Sequence, residues 1–171
     1  MRDLGPNWPS LPDWTSAEHV ANDIRVRSVH RLGQHLVSGN LDAFATASGL
    51  GTGTGALSVV EGDRYALRHA RDRLLVINGD ASYLAPGWHE AGYAVTDISA
   101  AQHVFEFEGA GIGQLLREAL AVDPDNAGPS AVVMFAGQMA TLYHHGSRAR
   151  LRLHVERGFA GFIWNWLEAR V

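Results

Sequence analysis

The sequence predicts an α+β fold made of two like units, each a strand, a helix, three strands and a helix, packed against one another. Three observations carry that reading. Segments of matching character recur at a spacing of roughly 70 to 79 residues. In RLRLHV, Leu151, Leu153 and Val155 alternate with Arg150, Arg152 and His154, the period of a half-buried strand. In IGQLLREAL, Ile112, Leu115, Leu116, Ala119 and Leu120 share one helical face. A unit of this kind leaves an apolar face on its sheet, so two copies bury together what one cannot.

The elements follow in order. The opening MRDLGPNWPSLPDW holds three of the six prolines and two tryptophans, Trp8 and Trp14, and reads as an extended arm over residues 1–24 ahead of a domain over 25–171. In the first copy, about residues 33–92, QHLVSG is a strand closed by Gly39 and NLDAFATAS a short helix. ALSVVEG and DRYALRH then form a hairpin, RLLVING a third strand, and SYLAPGWHEAG a helical segment. In the second, about 103–170, HVFEFEG is a strand and residues 112–120 a helix. SAVVMFAG and QMATLYHH make the hairpin, RLRLHV the third strand, and GFAGFIWNWLEAR the closing helix. Gly62 and Gly137 both fall at the hairpin turn, and His69 and His144 both end the returning strand. At 100° per residue the closing helix gathers Phe159, Phe162, Ile163 and Trp166 on one face and sets Trp164 beside Glu168 on the polar side. An indole there is expected to be partly exposed unless a partner covers it, as are Trp8 and Trp14, so all three are candidate interface residues.

Composition removes much chemistry. With 171 residues the chain buries about 70% of its unfolded surface, enough for a core without staples. It has no Cys and, on counting, no Lys. Disulfides, iron–sulfur clusters, thiolate zinc sites, Cys nucleophiles, Schiff-base amines and a P-loop lysine are therefore excluded. A net charge of −4 without a basic stripe argues against nucleic acid. No apolar h-region opens the sequence and no run of eighteen apolar residues interrupts it, so neither a signal peptide nor a membrane span is expected, and a cytoplasmic location is.

The candidate motifs read mostly as structure. GLGTGTG (49–55) follows a helix and enters a strand, the reverse of a dinucleotide loop, and reads as a flexible connector. GAGIG (109–113) has the right order, strand then helix, but its third glycine comes one residue early and no acidic residue follows at about 20 residues; it reads as a tight turn with close helix packing. The nine histidines show no paired ligand spacing, and His144 and His145 point to opposite faces of a strand. Ser48, Ser82, Ser99 and Ser130 lack a nucleophile elbow, and Ser99 with Gln102 reads as a capping box. Glu106 and Glu108 read as a solvated strand edge. Arg148, Arg150, Arg152 and Arg157 have the chemistry to clamp a carboxylate, though a solvated face or subunit contact is the preferred reading. No catalytic, cofactor-binding or metal-binding residue is expected in this chain.

One resemblance adds to this. VTDIS, the strand ending FEFEG, a helix containing Leu115 and Leu116, a hairpin with a returning His, and above all RLHVERGFAGFIWNWLEA resemble the gamma subunit of heterotetrameric sarcosine oxidase over about residues 25–170. The matching positions are Asp97, Ile98 and Ser99, and Arg157, Phe159, Ala160, Trp164, Trp166 and Leu167. Ile98 replaces the usual Leu, Gly158 the usual Ser, and EALAVDPDN lacks the usual Gly-Cys element. That family is related to the folate-binding domain of the glycine-cleavage T-protein, which accords with the duplicated α+β reading. The resemblance implies a non-catalytic accessory chain of an N-methyl amino acid oxidase or dehydrogenase complex. Its alpha, beta and delta partners would carry FAD, FMN, NAD, tetrahydrofolate and zinc, with tetrahydrofolate as the one-carbon acceptor. It also implies a structural role for Asp97 at the junction of the copies. Two alternatives are a stand-alone folate-binding module and a free-standing enzyme in which the Arg group grips a carboxylate and a His acts as base.

Overall fold

The computed structural model describes residues 10–126 and 128–170. Trp8 lies outside the described residues. Among the described residues, twelve strands form two antiparallel-rich sheets and three α-helices pack on them. In chain order they are β1 (Glu18–Ala21), β2 (Ile24–Val29), β3 (Gln34–Gly39), α1 (Leu41–Ser48), β4 (Val59–Val60), β5 (Tyr65–Ala70), β6 (Arg73–Ile77), β7 (Gly87–His89) and β8 (Tyr93–Asp97). There follow β9 (Gln102–Glu108), α2 (Ile112–Ala119), β10 (Val132–Phe135), β11 (Gln138–His145), β12 (Arg150–Glu156) and α3 (Ala160–Glu168). The larger sheet runs β1-β2-β9-β12-β11-β10, with β4 parallel to the end of β11; the smaller runs β5-β6-β3-β8-β7.

Alternation decides the layers. On β12 and β9, Leu151, Leu153, Val155, Phe105 and Phe107 point to one side and pack with Ile112, Leu115 and Leu116 of α2 and Ile163, Trp164 and Leu167 of α3. On the smaller sheet, Val37, Leu74, Val76 and Val95 face Leu41 and Phe44 of α1. The faces left over meet each other through Val60, Tyr65, Leu67, Leu75, Ile77, Ala131 and Tyr143. The result is four layers, helix, sheet, sheet, helices, so both sheets are buried on two sides over part of their area.

Several expectations are corrected. SYLAPGWHEAG is not helical: Pro86 cannot sit inside a helix, and Gly87 and Gly92, at φ 115° and 90°, turn the chain into the β7–β8 hairpin. Tyr93 and Val95 then alternate into the α1-side core. ALSVV does not pair with DRYALRH. Ala56 and Leu57 bury themselves in the larger sheet's core, and the strand they lead is drawn to β11, with the His144 amide donating to the Ser58 carbonyl at 2.9 Å. The 49–55 connector is not slack either, since a Cβ on Gly53 would lie 2.7 Å from the Arg68 amide nitrogen, and that amide bonds the Thr54 carbonyl at 2.8 Å. From residue 10 onward the arm is irregular only up to Ala17. Residues 18–21 pair with β2, so a boundary after residue 24 falls beside the turn of a hairpin.

The closing helix presents a different face from the one expected. Ala160, Ile163, Trp164 and Leu167, at i, i+3, i+4 and i+7, are buried, while Phe159 and Phe162 are 41% and 46% exposed. Trp164 is 5% exposed. Its neighbour is the one the helical wheel gives, since its indole N–H donates to Glu168 at 2.7 Å, but a cover comes from this chain's own arm. Asp13 accepts from the Thr15 amide and the Thr15 and Ser16 hydroxyls and so folds the arm into a turn. Trp14 is thereby set edge-on to Trp164, ring centroids 5.7 Å apart, and over His103 at 4.6 Å.

Candidate functional site

The densest polar construction lies between the sheets, built from strands whose sequences match in charge: Arg25-Val-Arg27 on β2, Glu106-Phe-Glu108 on β9 and Arg150-Leu-Arg152 on β12. Register puts Arg27, Glu106, Arg152 and Tyr143 side by side on four consecutive strands, where opposite charges on one face attract. Glu106 is 2% exposed, which corrects its assignment to a solvated edge: β9 is flanked by β2 and β12 and is central. Arg27 donates to its Oε1 at 2.7 Å and Arg152 to its Oε2 at 2.9 Å. Burial pushes this carboxyl up, but the Arg27 and Arg152 hydrogen bonds outweigh burial and hold it below the ordinary carboxylate range. Glu108 is half-buried and pairs with Arg150 at 3.5 Å.

From Arg152 a chain of hydrogen bonds crosses to the other sheet in one direction. Its Nη1 donates to the Tyr65 hydroxyl at 3.0 Å. The Tyr65 and Tyr143 hydroxyls are 2.8 Å apart, Tyr143 reaches His154 Nε2 at 2.8 Å, and His154 Nδ1 reaches Gln34 Oε1 at 2.6 Å. A carbonyl oxygen only accepts, so Nδ1 carries the proton; Nε2 then accepts from Tyr143, which in turn accepts from Tyr65. Burial, with the Arg152 charge adding, drives the His154 pKa down to about 3, so the ring is neutral as this order requires. Tyr143 and His154 are fully enclosed. The cavity that His154 borders, with His69, Thr141 and Met139, measures about 120 Å³, below the few hundred Å³ of small-molecule sites. What the network does is fasten one sheet to the other.

The Arg group does not assemble as a carboxylate clamp, the less preferred reading of the sequence: Arg152 serves Glu106 and Arg150 serves Glu108. Ser99 forms no capping box with Gln102. Its hydroxyl donates to Asp97 at 2.6 Å and accepts the Gln34 amide at 2.9 Å. The same Asp97 oxygen takes the Ser99 amide, and these bonds lower the Asp97 pKa. Asp97 thus shapes the chain where it leaves β8 for β9. Among the described residues no three His, Asp or Glu side chains gather as a metal group, and no helix is long and apolar enough to cross a membrane.

Along the outer flank of α3, Phe159 and Phe162 stand exposed, and Leu11 of the arm, 66% exposed, rests against Gly161 of the same helix. At the start of α2 a cavity of about 460 Å³ is lined by Leu57, Gly109, Gly113, Arg117, Asp123 and His144, among others. Gly109, at φ 137°, has the Asp23 carbonyl where a Cβ would lie, as a tight-turn reading of GAGIG requires.

Sequence reasoning missed Arg27, Glu106, Tyr65, Tyr143, His154 and Gln34 as a unit. The matching RVR, EFE and RLR strands were the available signal for its charged half. The class defined by this fold and this network is a layered α+β domain whose buried charges join two sheets. The family model described as sarcosine oxidase, gamma subunit family, matches residues 43–170, and the chain belongs to that family. Among solved structures, a chain of the heterotetrameric sarcosine oxidase from Corynebacterium sp. U-96 in complex with pyrrole 2-carboxylate is similar, with a TM-score of 0.68 and 23% sequence identity, covering 86% of this chain and 84% of that one. At that identity the likeness is one of fold. No curated protein sequence matches.

Proposed function

We propose that this chain is a non-catalytic accessory subunit of a heteromeric, flavin-dependent sarcosine oxidase or related N-methyl amino acid oxidase, working in the cytoplasm. The larger alpha and beta subunits and a small delta subunit hold FAD, FMN, NAD, zinc and tetrahydrofolate, the last accepting the one-carbon unit. The observation that carries this reading is membership of the gamma subunit family over residues 43–170. The strand orders β3-β6-β5 and β9-β12-β11, each flanked by a hairpin from the other half of the chain, support reading the domain as two copies of one unit with exchanged hairpins.

The docking surface is the outer flank of α3. Phe159, Phe162 and Leu11 expose apolar area of the kind that anchors an interface. Trp14 and Trp164 act behind it, holding the arm on the helix, where Leu11 packs against Gly161.

The reading is tested by expressing the chain alone and with candidate large subunits. Alone it is colourless and does not oxidise sarcosine; together, the chains co-purify with flavin absorbance and turnover. A yellow, active isolated chain, or failure to co-purify with any large subunit, contradicts the proposal. Tetrahydrofolate-dependent thermal stabilisation of the isolated chain would instead favour a folate-binding module.

A further inference from the structure

We propose that Met134 and Met139 form a site of oxygen transfer from hydroperoxides, at which each thioether becomes a sulfoxide while the fold stands. With no Cys and three Met in the sequence, these two carry all the sulfur of the chain apart from Met1. They stand in one hairpin, on β10 and β11 either side of the turn, and register sets them directly opposite one another. Opposite residues share a face of the sheet, with Cβ atoms about 5 Å apart. Their neighbours settle which face. Val133, Phe135, Ala140 and Leu142 point into the core shared with α2 and α3, whereas Tyr143, in step with Met139, turns toward the smaller sheet. The methionines therefore look to the smaller sheet's side, at a place that sheet does not cover: Met134 is 42% exposed and Met139 67%.

A thioether reacts without ionising. Its sulfur lone pair attacks one oxygen of the hydroperoxide and the O–O bond breaks. The sulfur is oxidised by two electrons to the sulfoxide, and the peroxide is reduced to water or an alcohol. With hydrogen peroxide one S=O forms and one water leaves, so atoms and electrons balance with no further reagent. Neither sulfur belongs to a core cluster, so the new polar group is not forced into apolar surroundings. Met139 also borders the cavity of about 120 Å³ that His69 and Thr141 line, where the Thr141 hydroxyl and His69 Nδ1 meet at 3.4 Å. A sulfoxide oxygen accepts hydrogen bonds far better than a thioether sulfur, so oxidising Met139 sets a new acceptor at the rim of that cavity. The source of peroxide in an assembled complex rests on the oxidase reading, since a flavin oxidase that returns its electrons to oxygen yields hydrogen peroxide. The reactivity of the two sulfurs does not.

The full chain is treated with hydrogen peroxide near neutral pH beside free methionine, and oxidation is followed by intact mass and peptide mapping. One oxygen is expected on each of Met134 and Met139, at rates within about tenfold of the free amino acid, Met139 first, with the fold retained by circular dichroism. The His69 ring resonances are expected to move as Met139 is oxidised and to stay still under the same treatment of Met139→Leu, a coupling that a methionine reacting merely as open surface does not produce. Slower oxidation of both sulfurs, oxidation that accompanies loss of the fold, or His69 resonances indifferent to Met139 overturns the proposal. A second arm takes the co-expressed complex through sarcosine turnover in air, with and without catalase. Sulfoxide that accumulates only without catalase supports the oxidase as the source. Sulfoxide with added peroxide but none on turnover counts against the oxidase reading and leaves the site standing.

Discussion

Glu106 and the residues it touches show how a charge is made tolerable inside a protein. Its carboxylate sits between Arg27, which is half exposed, and Arg152, whose side chain is 12% exposed. Removing Arg152 leaves Glu106 buried with one partner and Tyr65 without its donor, and breaking a buried pair in this way costs about 3–5 kcal/mol. We therefore expect Arg152→Ala to lower unfolding free energy by that order in urea titration, and an effect below about 1 kcal/mol would show that the network contributes little. The histidines impose a pH dependence with a definite sign. Burial holds His154 at about 3 and His103 at about 4, the latter also repelled by His30 and Arg157, against 6.5 for an ordinary ring. Between those values and 6.5 the unfolded chain binds more protons than the folded one, so stability rises with pH across the window and falls on acidification. Each ring contributes a slope of about 1.4 kcal/mol per pH unit in the middle of its window. Urea unfolding at about pH 5 and about pH 7 checks this, and a stability independent of pH would contradict the neutral rings.

At the scale of elements, legibility followed how much of each element's environment its own residues declare. The strand around RLRLHV was readable because alternation sorts Leu151, Leu153 and Val155 from Arg150, Arg152 and His154. α2 was readable because its apolar stripe is unbroken. The polar side of β9 was not, because nothing local says that β2 and β12 lie on both flanks of Glu106. The β7–β8 hairpin was misread because its aromatic and aliphatic spacing resembles a helix, although Pro86 and Gly92 argue otherwise. Trp164 was placed correctly beside Glu168 yet given the wrong exposure, because its cover comes from Trp14, 150 residues earlier in the chain. The arm is accordingly an element with a job: Trp14→Ala should expose Trp164 and His103, shift tryptophan emission to the red and lower stability by about 2 kcal/mol or more. Unchanged emission and stability would mean that the arm does not cover the helix in solution.

For the whole molecule, the layers explain which face of α3 is covered and which is left open. Each sheet has one side against helices and part of the other against its fellow, and the helices are held by the cores they bury. What stays apolar and open on α3 is the flank carrying Phe159 and Phe162. Under the proposed function the occupant of that flank is a larger subunit of the oxidase, with a consequence for binding that does not depend on the fold being disturbed, because both rings are already exposed. The direct measurement is the affinity of the isolated chain for its co-expressed large subunit, compared with that of the Phe159→Ser, Phe162→Ser double variant. The account predicts a loss of about thirtyfold or more with unfolding temperature unchanged, the effect of removing an aromatic anchor worth about 2 kcal/mol. Equal affinity in the two proteins would contradict it.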